Sequence, residues 1–147
     1  MVLDREGHDR DIRALGEAGA RALASLRVGV VGVGGTGSAV VEMPAWLGVR
    51  DFVLVDPDNL ERSNLSRVFG SSPTDVGDAK VTVAAAAIRR IAPDARVRSV
   101  KGSVVDRVAT LELADRDVVF GCTDDHLGRL VLGRLPTWLL RRSTAES

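Results

Sequence analysis

The chain has 147 residues, 45% of them hydrophobic and 27% charged, the composition of one ordinary globular domain and not of a disordered segment. Its 20 basic and 20 acidic residues cancel, and aromatics are only 3% with no tyrosine, which argues against a nucleic-acid partner or an anionic membrane surface. No apolar run approaches the roughly 18 residues of a spanning helix; the single cysteine and an N-terminus without a signal peptide's apolar core make the cytoplasm the default location.

Ala20 to Ala24 reads as a helix leading into the first strand. Arg27 to Val33 is a continuous run of β-branched and small residues, the pattern of a strand buried on both faces of a parallel sheet. From Ser38 the period becomes helical, with Val40, Met43 and Leu47 on one face and Gly48 as a stop signal. Pro44 removes a backbone donor there and crowds the Val40 carbonyl, so a kink or an early end is expected.

Asp51 to Val55 reads as a second buried strand ending at Asp56. The polar stretch from Asp56 to Asp78 is too long for a plain connection and reads as a functional loop. Val81, Ala84, Ala85, Ile88 and Ile91 then repeat at helical spacing until Pro93. Val97 to Val100 is a third strand, Val104 to Leu113 a third helix, and Asp117 to Gly121 a fourth strand. Thr123, Asp124 and Asp125 are N-cap candidates for a fourth helix through Leu127, Leu130 and Val131. The alternation predicts an α/β fold: a Rossmann-like, doubly wound, mainly parallel sheet with helices on both faces and right-handed crossovers.

The chemistry begins at Gly32-Val33-Gly34-Gly35-Thr36-Gly37, which sits between the first strand and the following helix. Its glycines serve a tight turn, a close approach of backbone to phosphate, and close packing of helix on strand. Free N–H groups at the helix start then face an anion. Asp56 ends the second strand, where an acid can accept hydrogen bonds from ribose hydroxyls. These features suit NAD, FAD or ATP alike.

The next loop discriminates. Asp56-Pro57-Asp58-Asn59-Leu60-Glu61-Arg62-Ser63-Asn64-Leu65-Ser66-Arg67 is followed by Val76-Gly77-Asp78-Ala79-Lys80 and by Gly121-Cys122-Thr123-Asp124-Asp125. With the glycine loop, these motifs resemble the ThiF/MoeB superfamily, adenylating enzymes akin to the ubiquitin-activating enzymes, from about Arg10 to about Leu130. The resemblance divides the chain into an N-terminal helical segment (1–26), an ATP-binding Rossmann-like domain (27–135) and an atypical C-terminal tail (136–147).

The resemblance implies attack on the α-phosphate of ATP by the C-terminal carboxylate of a ubiquitin-like or sulfur-carrier protein, giving an acyl adenylate and pyrophosphate. Such chemistry needs in-line positioning and cations that spread charge. By resemblance those cations are Arg67 and Lys80, with Asn64 as a neutral partner to the phosphates and Asp124 as a Mg²⁺ ligand. Gly32, Gly34, Gly35, Thr36, Gly37, Asp56 and Asp58 complete the nucleotide site. Arg10 matches the arginine that reaches into the neighbouring subunit's site, which implies a homodimer, although Asp11 and Ala20 stand where the family usually has glutamine.

Cys122 reads as a small buried hydrophobe at the end of the fourth strand, not as the family's catalytic cysteine. His8 and His126 read as surface or capping residues, and zinc is not expected without paired C-x-x-C motifs. The segment from Leu135 to Ser147 does not look like the family's next apolar strand, and a truncated gene, a frame change or a minimal protein would each give this ending. Missing strands would leave a sheet edge and apolar helix faces to be covered by dimerisation or another partner. Three functions stay open: an adenylyltransferase, a nucleotide-binding module without transfer activity, and an NAD-dependent oxidoreductase that would leave Asn64, Arg67, Lys80 and Asp124 idle.

Overall fold

The computed structural model describes residues 9–134, with only the backbone of residues 10 and 11. The expected segment 136–147 and His8 lie outside the described residues. Four strands form one sheet: β1 (Arg27–Val31), β2 (Asp51–Val55), β3 (Arg96–Val100) and β4 (Val118–Gly121). All pairings are parallel, in the order β3-β2-β1-β4. Between and around them lie α1 (Asp9–Ser25), α2 (Gly35–Trp46), α3 (Lys80–Ile91), α4 (Arg107–Leu113) and α5, which begins at residue 126 and continues to 134. Gly16 interrupts α1 with φ 71°.

The apolar runs of β1 and β2 are buried on both faces, as their lack of alternation predicted. Val28, Val30, Phe52 and Leu54 pack with Val41 and Ala45 of α2 and Val81, Ala84, Ala85 and Ile88 of α3. Val31, Val53 and Val55 point the other way, onto Val104 and the α4 residues Ala109 and Leu113. One sheet with helices on both faces is therefore the α/β, Rossmann-like, doubly wound fold the sequence predicted.

Several boundaries differ from expectation for local reasons. β1 stops at Val31 because Gly32 adopts φ +84°, which turns Val33 out of the strand. α4 starts at Arg107 because Asp106 closes the preceding turn, its Oδ2 accepting the Ser103 N–H at 2.9 Å and its carbonyl the Thr110 N–H at 3.0 Å. α2 passes Pro44 and ends two residues later at Trp46, so the proline sits in its last turn. Gly48 follows with φ +98°.

β3 and β4 are the sheet's edges among the described residues. Val118 and Phe120 of β4 are each 37% exposed, and Val108, Leu111, Leu127 and Leu130 nearby in sequence are also exposed. No described helix is long and apolar enough to cross a membrane.

At the amino ends of the strands, charges tie distant segments together. Arg27 donates to Asp117 through Nε at 3.2 Å and Nη2 at 2.8 Å, and Asp117 Oδ2 also accepts the Arg27 backbone N–H at 2.8 Å. Arg116 bridges Asp51 at 2.6 Å and Asp115 at 2.8 Å. The Arg27 hydrogen bonds pull the Asp117 carboxyl down to about 2. A depressed carboxylate contributes stability that is present above its unfolded value near 4 and is lost as pH falls through its folded value. Stability should therefore decline between about pH 4 and pH 2, and Asp117→Asn should flatten that limb in denaturation curves recorded across the range.

Candidate functional site

The strand order sets where a ligand can sit. The chain runs outward from β1 through β2 to β3, then returns to the opposite side of β1 as β4. The loops after β1 and β4 consequently part from one another, opening a crevice at the carboxyl ends of the strands. A cleft of about 690 Å³ occupies this place, within the usual range for small-molecule sites.

Its floor is the turn from β1 into α2. A Cβ at Gly37 would lie 1.7 Å from the Gly32 carbonyl oxygen, and one at Gly32 would meet the Cys122 backbone at 2.9 Å. Gly37 is thus the packing glycine that lets α2 start directly on the turn, and it does not line the cleft. Gly32, Gly34, Gly35 and Thr36 do line it.

Asp56 holds this floor in shape. The residue is 5% exposed; its Oδ2 accepts the Val33 N–H at 2.8 Å and its Oδ1 the Asp58 N–H at 2.9 Å. Asp56 also lines the cleft, and a carboxylate oxygen that accepts one N–H can accept a second hydrogen bond, so bracing the loop and accepting from a ligand hydroxyl are compatible.

The long loop after β2 is a folded structure of its own. Leu60, Val68 and Val83 form a small core, and the loop's ends are pinned by the Leu60 N–H to Asp78 O at 2.7 Å and the Gly77 N–H to Leu60 O at 2.9 Å. This closure brings Lys80, the first residue of α3, to the cleft beside Asp58. The Lys80 ammonium donates to Asp58 Oδ2 at 2.9 Å and its backbone N–H to Asp58 O at 3.0 Å. Arg67 lies over Gly35 and donates to Ser63 O at 2.9 Å.

Asn64 is placed elsewhere. It is buried at 6% exposure and its Oδ1 accepts the Glu61 N–H at 3.1 Å, capping the short 3-10 helix Arg62–Asn64. In this structure it supports the Arg67 segment and does not line the cleft. The side chain of Arg10 lies outside the described residues.

The far wall comes from β4. Asp125 is the cap of α5, its Oδ2 accepting the Gly128 N–H at 2.8 Å. Its neighbour Asp124 lines the cleft. Among the described residues no group of three or more His, Cys, Asp or Glu could hold a metal by itself. A cation bound here would take one or two protein carboxylates, with the rest of its shell from ligand oxygens and water, which is how Mg²⁺ is commonly held. Cys122 is half-buried and lines the cleft, not fully buried as expected; burial nonetheless pushes its thiol above its ordinary value, the opposite of an activated nucleophile.

The sequence reading missed part of the wall: Gly102, Ser103 and Val104, in the turn after β3, also line the cleft. Their position past a strand's carboxyl end was the available signal.

A pattern describing the ThiF family matches residues 8–135 of this chain. The SAMP-activating enzyme E1 of Haloferax volcanii is 37% identical over 130 residues, covering 88% of this chain and 48% of that one. The molybdopterin-synthase adenylyltransferase of Escherichia coli is 36% identical over 107 residues, covering 73% and 43%. Among solved structures, the E. coli tRNA N6-threonylcarbamoyladenosine dehydratase TcdA in complex with ATP matches with a TM-score of 0.77 at 30% identity, over 85% of this chain and 53% of that one. The chain spans about half the length of these relatives.

Removing the Asp56 carboxylate leaves the buried Val33 N–H without its partner. Losing charge-assisted bonds of this kind costs about 3 kcal/mol, so Asp56→Ala should lower unfolding stability by that order in urea titrations. Asp56→Asn, which keeps one acceptor, should lose less.

Proposed function

The chain belongs to the ThiF family, and on that premise we propose that its cleft binds ATP and activates a carboxylate as an acyl adenylate. The observation that carries this is the convergence of Arg67, Lys80 and Asp124 on a glycine-turn cleft at one end of the sheet. A dinucleotide site would need the glycine turn and Asp56 but not this charged rim.

In this reading the backbone N–H groups at the start of α2 receive phosphate oxygens. Arg67 and Lys80 neutralise charge on the phosphates as pyrophosphate departs. Lys80 is only 13% exposed on its side chain and already held by Asp58, so little side-chain freedom is lost when it meets the ligand. Asp56 accepts from the ribose as well as bracing the turn. Asp124 would hold Mg²⁺, which would supply charge neutralisation on the phosphates.

The carboxylate oxygen of the acceptor attacks the α-phosphorus and the bond to pyrophosphate breaks. The acceptor is a ubiquitin-like or sulfur-carrier protein with a free C-terminal carboxylate, the partner class that the family resemblance implies. Arg10 would act in trans from a second copy, making the working unit a homodimer.

Arg67→Ala and Lys80→Ala should each weaken ATP binding about tenfold or more, the worth of a charge-assisted hydrogen bond. Asp124→Asn should abolish the dependence of that binding on Mg²⁺. Calorimetry measures both. ATP–pyrophosphate exchange that appears only with a carrier carboxylate would support the transfer step; ATP binding without exchange for any carrier tried would leave a nucleotide-binding module.

A further inference from the structure

The buried polar side chains among the described residues are Ser38, Asp56 and Asn64. Asp56 braces the glycine turn and Asn64 caps a short helix, whereas Ser38 has no part in the reading so far. It is 2% exposed and follows Gly37 in the first turn of α2. Its Oγ donates to Gly35 O at 2.9 Å and accepts the Phe69 N–H at 2.9 Å.

Those two bonds end on the two halves of the phosphate site. Gly35 belongs to the turn that faces the phosphates, and Phe69 lies two residues past Arg67. The Arg67 segment also packs on Gly35, but its other hydrogen bonds among the described residues lead away from α2. The Arg67 and Val68 N–H groups both donate to Asn64 O at 3.0 Å, and Val68 is buried against Leu60 and Val83. Those contacts tie the segment to its own loop and to α3. The Ser38 hydroxyl is the hydrogen bond that ties it to the glycine turn.

A serine within a helix satisfies its donor by bonding back to a carbonyl in the previous turn. That habit explains the Gly35 bond and nothing more. Accepting a backbone N–H from a segment 31 residues away is a second, independent use of the same oxygen.

We propose that Ser38 is a positioning residue, which holds the Arg67 segment on the glycine turn so that guanidinium and turn N–H groups meet the same phosphates. The inference rests on the ATP reading of the cleft. Hydrogen bonds to phosphate tolerate only small displacements, and shifts near 1 Å in a positioning element lower function strongly. Ser38 thus acts on the ligand only through Arg67.

The test is a double-mutant cycle on ATP affinity, measured by calorimetry with Mg²⁺ on the full chain: wild type, Ser38→Ala, Arg67→Ala and the double variant. Thermal melts first establish that each is folded. Ser38→Ala should weaken ATP binding about fivefold to tenfold, yet cause little further loss once Arg67 is alanine. Ser38→Thr, which keeps the hydroxyl, should recover most of the loss. The same fractional loss from Ser38→Ala in both backgrounds, or no recovery by a folded Ser38→Thr, would overturn the proposal while leaving the cleft reading intact. If Arg67→Ala binds ATP as wild type does, the cleft reading fails and this inference with it.

Discussion

The carboxylate of Asp56 is where the two sequence segments that build the cleft become one structure. It sits at the end of β2, buried, and accepts one backbone N–H from the glycine turn after β1 and another from the start of the loop after β2. A glycine-rich turn has the most conformational freedom to lose on folding, so something must hold it in its folded shape. Here the holding group is an ionisable side chain supplied by the neighbouring strand. Everything downstream depends on it: Asp58 is fixed by the same carboxylate, and Asp58 in turn grips Lys80.

The rest of the site follows from the order of the strands. Because β4 returns beside β1 and not beyond β3, the turn carrying the glycines and the turn carrying Asp124 face each other across a gap. Helices contribute through their first turns: α2 brings the glycine turn, α3 brings Lys80, and α5 takes Asp125 as its cap while Asp124 stays at the cleft wall. Both carboxylates line the cleft, and that of Asp125 also caps the helix.

Much of this was legible in the residues. The non-alternating runs of β1 and β2 announced strands buried on both faces, and both faces are covered. The family resemblance, carried by four ordered motifs, agrees with the match across residues 8–135. What the residues hid was mostly local. Val33 looks like a strand residue, yet it leaves the strand because Gly32 takes a positive φ. Asn64 looks like a ligand contact, but its Oδ1 accepts a backbone N–H of its own loop and the residue does not line the cleft. Ser38 showed no pattern at all, since a single hydroxyl in an apolar helix carries no periodicity and its partner at Phe69 is set by tertiary packing.

In the proposed function, the braced turn and its charged rim form a triphosphate site and not a dinucleotide site. Calorimetric titration of the unmodified chain with ATP and, separately, with NAD, both with Mg²⁺ present, tests it most directly. ATP should bind more tightly by about tenfold or more, corresponding to at least one charge-assisted contact from Arg67 or Lys80. Tighter binding of NAD than of ATP would contradict it.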